Sequence, residues 1–234
     1  MDVQGKKIIL FGGTSGIGAA AARQLADRGA RVIAISRDPS KAGDPEAGIT
    51  LKKCDVRDGA AVEALLKSEA PYDVLISAAT GGERAVGPFL EMNMDGFKNS
   101  FDKLWGYANI VRYGTEHLPK DGCIVLVSGA PARRARPGQI AIGSVGAAVE
   151  QFARTVAREI APRRINVVSP GQIDTPMVAL QGEARREMYE KATSNNLIPR
   201  AGTADEVAQA ILFAVDNEFI TGTTIDVDGG WLQS

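Results

Sequence analysis

The residues best placed by type and spacing to do chemistry are those of Phe11-Gly12-Gly13-Thr14-Ser15-Gly16-Ile17-Gly18. The stretch follows the apolar run Ile8-Ile9-Leu10 and precedes the alanine-rich segment Ala19 to Arg28, so it reads as strand, tight turn and helix start. Gly12 lets the chain leave the strand through a turn that a Cβ would obstruct, while Gly16 and Gly18 let helix, sheet and a diphosphate come close together. The helix opens with free N–H groups and the positive end of its dipole facing that diphosphate. A plain strand-to-helix turn is the competing reading. The β-type run on one side and the helical segment on the other favour a nucleotide cradle.

Other chemistry-bearing residue types are sparse. Cys54 and Cys123 have no second cysteine or histidine at metal-ligand spacing, so reduced buried thiols are expected and no metal site. The single histidine, His117, falls near the predicted end of a long helix, where an imidazole caps the last carbonyls.

The elements that must position the cradle are legible as short apolar runs separated by helical segments. Strands are predicted at Lys7 to Phe11, Arg31 to Ser36, Ile49 to Cys54, Val74 to Ser77, Cys123 to Ser128, Ile165 to Val168 and Thr224 to Val227. Helices are predicted near 16–28, 58–69, 93–118, 138–161, 181–194 and 203–216. This alternation implies right-handed crossovers and a parallel sheet covered on both faces: an α/β, Rossmann-like, doubly wound fold in one domain spanning 1–234. Pro39 to Gly48 is expected to replace a crossover helix with a short loop. The polar insertion from Thr175 to Arg200 lies on the carboxyl side of the strands, where it is placed to cover a ligand crevice.

Bulk properties exclude some functions. With 27 basic and 28 acidic residues, a net charge of −1 and a pI near 6.0, the chain lacks the basic surface a nucleic-acid partner requires. No run approaches the ~20 apolar residues of a membrane helix, and no signal peptide is read before the first strand, so a cytoplasmic location is expected. The long helices carry Leu104, Ile110, Val111, Val145, Val149, Phe152 and Val156 on more than one face, which suggests a helix-to-helix interface between copies.

The ordered motifs resemble the short-chain dehydrogenase/reductase family over essentially the whole chain. Gly12 to Gly18 looks like its cofactor turn, Asp55-Val56 like its adenine-contacting pair, and Ser169-Pro170-Gly171-Gln172-Ile173-Asp174-Thr175 like its nicotinamide-side loop. The ending Gly222 to Gly230 also matches. The family has Asn-Asn-Ala-Gly after the fourth strand, and this chain has Ser77-Ala78-Ala79-Thr80, small enough at Ala78 and Ala79 to pass under the ribose. The resemblance implies an NAD(P)-dependent oxidoreductase acting on a small molecule, as a homodimer or homotetramer. NAD-selective members carry an acidic residue at the end of the second strand, whereas this chain has Ser36-Arg37. A guanidinium pairs with a 2′-phosphate that a carboxylate would repel, so NADP(H) is favoured over NAD(H). The alternative is an exposed Arg37 that only stacks on adenine.

The family's catalytic Asn, Ser, Tyr and Lys are not matched. The segment Ala147 to Glu150 resembles the one that follows the Lys, which puts Gly146 at the Lys position, Ile142 at the Tyr position and Gly129 at the Ser position. The Asn position falls on Lys103. No tyrosine lies between Tyr113 and Tyr189 and no lysine between Lys120 and Lys191, so a shifted alignment restores neither. Ser128, Ser144 and Lys103 are the polar groups that could stand in, against bland roles in satisfying backbone groups or lining a solvated face. Arg133-Arg134-Ala135-Arg136 either lines a pocket mouth that attracts anions or is a solvated loop. Two classes of function therefore stand: an oxidoreductase with a non-standard proton source, and a catalytically inactive nucleotide-binding or partner-binding module on the same scaffold.

Overall fold

The computed structural model describes residues 1–82 and 84–234. Its main sheet is built from β1 (Lys7–Phe11), β2 (Arg31–Ser36), β3 (Ile49–Lys53), β4 (Val74–Ser77), β5 (Cys123–Val127), β6 (Arg164–Pro170) and, after the pair β7 (Ile173–Asp174) and β8 (Gly202–Thr203), β9 (Thr224–Val227). The seven strands run parallel in the order β3-β2-β1-β4-β5-β6-β9. The order reverses at β1, so the crevice at the carboxyl ends of β1 and β4 is the switch point where a doubly wound sheet takes its ligand.

The strands alternate faces at every residue, which splits the core in two. Ile8 and Leu10 of β1 face α1 (Gly16–Asp27) and α7 (Ala204–Asp216), packing on Leu25, Val207 and Ile211. Ile9 and Phe11 face α2 (Gly59–Glu69), α4 (Asp102–Gly114) and α5 (Ile140–Ile160), packing on Leu66, Ile110 and Val149. All of these side chains are fully buried, and each large one contributes about 1.5–3 kcal/mol. α5 lies close to the sheet because Ala141, Val145, Val149, Ala153 and Ala157, four apart, form one buried stripe of small residues. Local caps set two starts: the Asp58 carboxylate accepts the Ala61 N–H at the head of α2, and Thr203 with Glu206 makes a reciprocal cap on α7.

Several expectations are corrected. The helix predicted over 93–118 is two, α3 (Met94–Ser100) and α4, broken at Phe101. The buried Ser100 hydroxyl donates back to the Gly96 carbonyl at 2.8 Å and accepts the Ala85 N–H at 2.9 Å, a bond pattern that bends a helix. His117 lies past α4 in a short turn, its ring centre 6.2 Å from that of Tyr72 in an edge-to-face arrangement. Pro39–Ala42 is a single 3-10 turn, as the loop reading anticipated. The two-residue pair β7–β8, unforeseen, ties together the ends of the insertion, which carries α6 (Gly182–Thr193). Ile110, Val111 and Val149 are spent on the chain's own core, and Val145 is buried facing a cavity. The exposed apolar residue on α4 is Trp105, 63% accessible. Cys54 and Cys123 are free and buried. Among the described residues no helix is long and apolar enough to cross a membrane.

Candidate active site

The turn after β1 forms the floor of a cleft of about 350 Å³. Gly12 takes φ +76, and a Cβ on it would lie 2.6 Å from the Ala79 backbone nitrogen, so the ends of β1 and β4 touch only because it is glycine. A Cβ on Gly18 would run into the Gly12 carbonyl oxygen, which places the first turn of α1 directly on the strand end. Ser15 caps that helix in extended conformation and its hydroxyl makes no cap bond, leaving the first N–H groups directed at the cleft.

Most of the residues expected to hold a cofactor are brought together here. Thr14, Ser15, Gly16, Ile17 and Gly18 line the cleft beside Gly12, with Ser36 and Arg37 at one end, Val56 along one wall, Ala78 and Ala79 beneath, and Thr175 above. Asp55 and Ile173 are not in its lining. The Asp55 carboxylate is gripped by the Arg57 guanidinium and backbone N–H, which hold it below the usual carboxylate range, and Ile173 packs against the core from β7. Pro170 and Gly171 line a second, adjoining cavity. Thr80, Gly81, Pro176, Met177 and Cys54 complete the cleft without having been foreseen. No acidic side chain lines it among the described residues. The Ser36 hydroxyl is buried with no partner, and Arg37 is exposed beside it. That combination leaves a donor and a cation for a phosphate.

The second cavity, about 160 Å³, starts where Gly81 of the cleft presses on the Asp102–Lys103 backbone. Its walls include Ile142, Val145, Gly146, Gly129 and Ser128, and its charged members among the described residues are Arg84 and Lys103. Ser144, one of the stand-in candidates, is outside its lining. Lys103 reaches in from α4: Nζ donates to the Ser128 carbonyl at 3.1 Å and stands 5.7 Å from the centre of the Tyr107 ring. Burial pushes its pKa down to about 7, and the nearby Arg84 guanidinium acts in the same direction. Removing a charge from water is costly, and a second cation adds repulsion, so the amine holds its proton weakly near neutrality.

Ser128 has a different part from the one anticipated. Its hydroxyl faces α5, with the Gly146 carbonyl at 3.1 Å and Glu150 at 3.2 Å as acceptors, and so is turned away from the cavity. Only its carbonyl serves the cavity, by fixing the lysine. Gly146 makes room for this, since a Cβ there would lie 3.2 Å from the Ser128 Oγ and 3.0 Å from the Ala132 Cβ. Ser128→Ala is therefore expected to cost about 1–2 kcal/mol of stability, from the buried Glu150 oxygen that loses its donor, yet to change any turnover less than about threefold. Thermal melting and steady-state rates of the one variant check both.

Two members of the arginine run are engaged locally, while Arg136 is exposed at the edge of a small neighbouring cavity. Arg133 pairs with Asp226 and, at 3.3 Å, with Glu150, which burial otherwise drives upward in pKa. Arg134 lies 5.0 Å over the Trp231 ring and donates to the Trp231 carbonyl. Arg84, Ser100, Gln139 and Gln172 are lining residues that sequence reasoning missed. The glycine pair Gly81-Gly82 was the available signal, because it lets the loop lie on the start of α4 and carry Arg84 over the cavity.

Comparison with known proteins bears on what such a pair of cavities is for. Residues 12–232 match a family model described as enoyl-(acyl carrier protein) reductase. The chain belongs to the short-chain dehydrogenase/reductase family. The 3-oxoacyl-[acyl-carrier-protein] reductase of Thermotoga maritima is 32% identical over 251 residues, covering 98% of this chain and 99% of the relative. A small-chain dehydrogenase solved in complex with NADPH superimposes with a TM-score of 0.84 at 29% identity, over 99% of this chain and all of the other. ElxO with NADP bound does so with a TM-score of 0.89 at 26% identity and the same coverage. As a short-chain dehydrogenase/reductase, the chain has its cleft and second cavity at the switch point of the sheet. Tyrosine is missing from the lining of both among the described residues.

Proposed function

We propose that the protein is an NADP(H)-dependent oxidoreductase of carbonyl compounds in which Lys103 replaces the family's tyrosine as proton donor. The observation that carries the reading is the amine of Lys103 held at the second cavity by the Ser128 carbonyl, with a pKa near operating pH. When bound, the reduced nicotinamide supplies a hydride. With a hydride added at its carbon, the substrate carbonyl would move its π pair to oxygen, and the Lys103 ammonium would give that oxygen a proton, regained afterwards from solvent. The ammonium has three donors; one is fixed on Ser128, so the others are free for a developing alkoxide. Ile142 and Val145 keep water from competing for that charge. Thr175, Pro176 and Met177 support a covering role for the insertion at 175–200. Exposed Trp105 on α4 supports assembly into a homodimer or homotetramer.

Ser36 and Arg37 support the choice of NADP(H), as do the relatives solved with NADPH or NADP. Arg37→Glu is expected to lower NADPH affinity by about 10- to 100-fold and to raise the ratio of NADH to NADPH affinity above one, since it trades a charge-assisted pair for repulsion. Titration calorimetry with both dinucleotides reads the change, and an unaltered NADPH affinity refutes the assignment. The catalytic reading is tested by absorbance of NADPH mixed with a panel of ketones, enones and imines. Consumption that depends on the carbonyl supports it, whereas tight binding without consumption by any member favours an inactive nucleotide-binding module.

A further inference from the structure

We infer that the cavity under Lys103 is a carboxylate site, and that the substrate is a small oxo acid whose carboxylate pairs with Arg84 while its carbonyl faces Lys103. The inference rests on the reading of that cavity as the reaction chamber. Two observations carry it. Arg84 and Lys103 are the charged residues in its lining, and no aspartate or glutamate joins them among the described residues. Arg84 has neither hydrogen bond nor ion pair among the described residues, while nearby Arg133 and Arg134 are both engaged.

Two cations lining one cavity repel each other, and Lys103 has given up part of its hydration to reach it; an anion between them reverses both costs. A carboxylate does so with two oxygens matched to a guanidinium fork. Size narrows the class: a cavity of about 150 Å³ holds a benzene, so this one of about 160 Å³ takes roughly six to eight non-hydrogen atoms, the span of pyruvate or acetoacetate. The anion also settles the proton. A negative charge beside Lys103 favours its ammonium form, so the donor becomes fully loaded when the oxo acid is in place. The groups facing this amine are Arg84 from the loop after β4, the Tyr107 ring on α4, the Ser128 carbonyl after β5 and, behind Ser128, Glu150 on α5.

The test is binding of oxamate, which carries a carboxylate beside an unreactive carbonyl, against neutral acetamide, by calorimetry on the NADP⁺-loaded protein. Expected are oxamate binding at least tenfold tighter than acetamide, loss of that margin in Arg84→Gln, and proton uptake at pH 8 that disappears in Lys103→Met. Oxamate binding no better than acetamide, or equally well to Arg84→Gln with an unchanged melting curve, overturns the inference. A companion assay follows NADPH consumption with pyruvate and with methyl pyruvate. Lys103-dependent consumption confined to the neutral ester sinks the oxo-acid assignment and leaves the reductase standing. Oxamate binding without consumption of NADPH by either compound keeps the carboxylate site and removes the reductase.

Discussion

Lys103→Met is expected to cut kcat/KM for carbonyl reduction by about 10²- to 10⁴-fold while leaving NADPH affinity within about twofold. The magnitude is that of losing a positioned general acid, because no hydroxyl or imidazole lines the cavity in a position to take over: the Ser128 proton is directed at Gly146 and Glu150. Methionine is unbranched and close to lysine in length, so packing is nearly conserved. The fold gives a second readout of opposite sign. A lysine whose pKa is about 7 folded and near the ordinary 10.5 unfolded binds more protons when unfolded, so its ionisation destabilises the native state fully below pH 7, with the penalty fading as pH rises toward 10. Removing it should leave the melting temperature at pH 6 unchanged or raised. Lost activity with undiminished stability places Lys103 in the chemistry; lost activity with a lowered melting temperature at pH 6 places it in the scaffold.

Gly18→Ala is expected to weaken NADPH binding by at least about tenfold and to cost about 1–3 kcal/mol of stability, the range for overpacking a tight contact. The added methyl meets the Gly12 backbone carbonyl, not a side chain that can turn away, so α1 must move off the end of β1 and take its N–H groups with it. Gly16→Ala is the comparison. Its Cβ meets only the Thr175 side chain at 3.5 Å, leaving the left-handed backbone at φ +49 as the main cost. Calorimetric titration of both variants with NADPH should rank Gly18→Ala well below Gly16→Ala; equal affinities would contradict the cradle geometry.

The contrast between what the sequence disclosed and what it withheld follows from how local each cause is. β1, β2 and β4 were delimited to the residue, because a strand buried on both faces is a continuous apolar run with turn residues at its ends, and the half-exposed edge strand β9 was bounded by Gly222 and Gly229-Gly230. The glycine cradle was equally plain, since Gly12 and Gly18 meet neighbours that the strand-turn-helix pattern already supplies. The break at Phe101 was hidden because its cause, the bond from Ala85 to Ser100, joins elements fifteen residues apart. The turning of Ser128 toward Glu150 was hidden for the same reason, as was Arg84, which reaches the cavity only through the packing of Gly81 on α4. Motif matching assigned Lys103 a place; the direction of its amine, and the cation beside it, came from tertiary structure.

The most direct test of Lys103 as the proton source is the pH dependence of a single turnover, followed by NADPH absorbance with NADPH and with its 4-deuterated form so that the hydride step is the one observed. For a neutral ketone the rate should be flat below pH 7 and fall by about tenfold per unit above it, as the ammonium empties, with the break lost in Lys103→Met. The same break persisting in Lys103→Met, or no isotope-sensitive turnover from any carbonyl at any pH, would contradict the account.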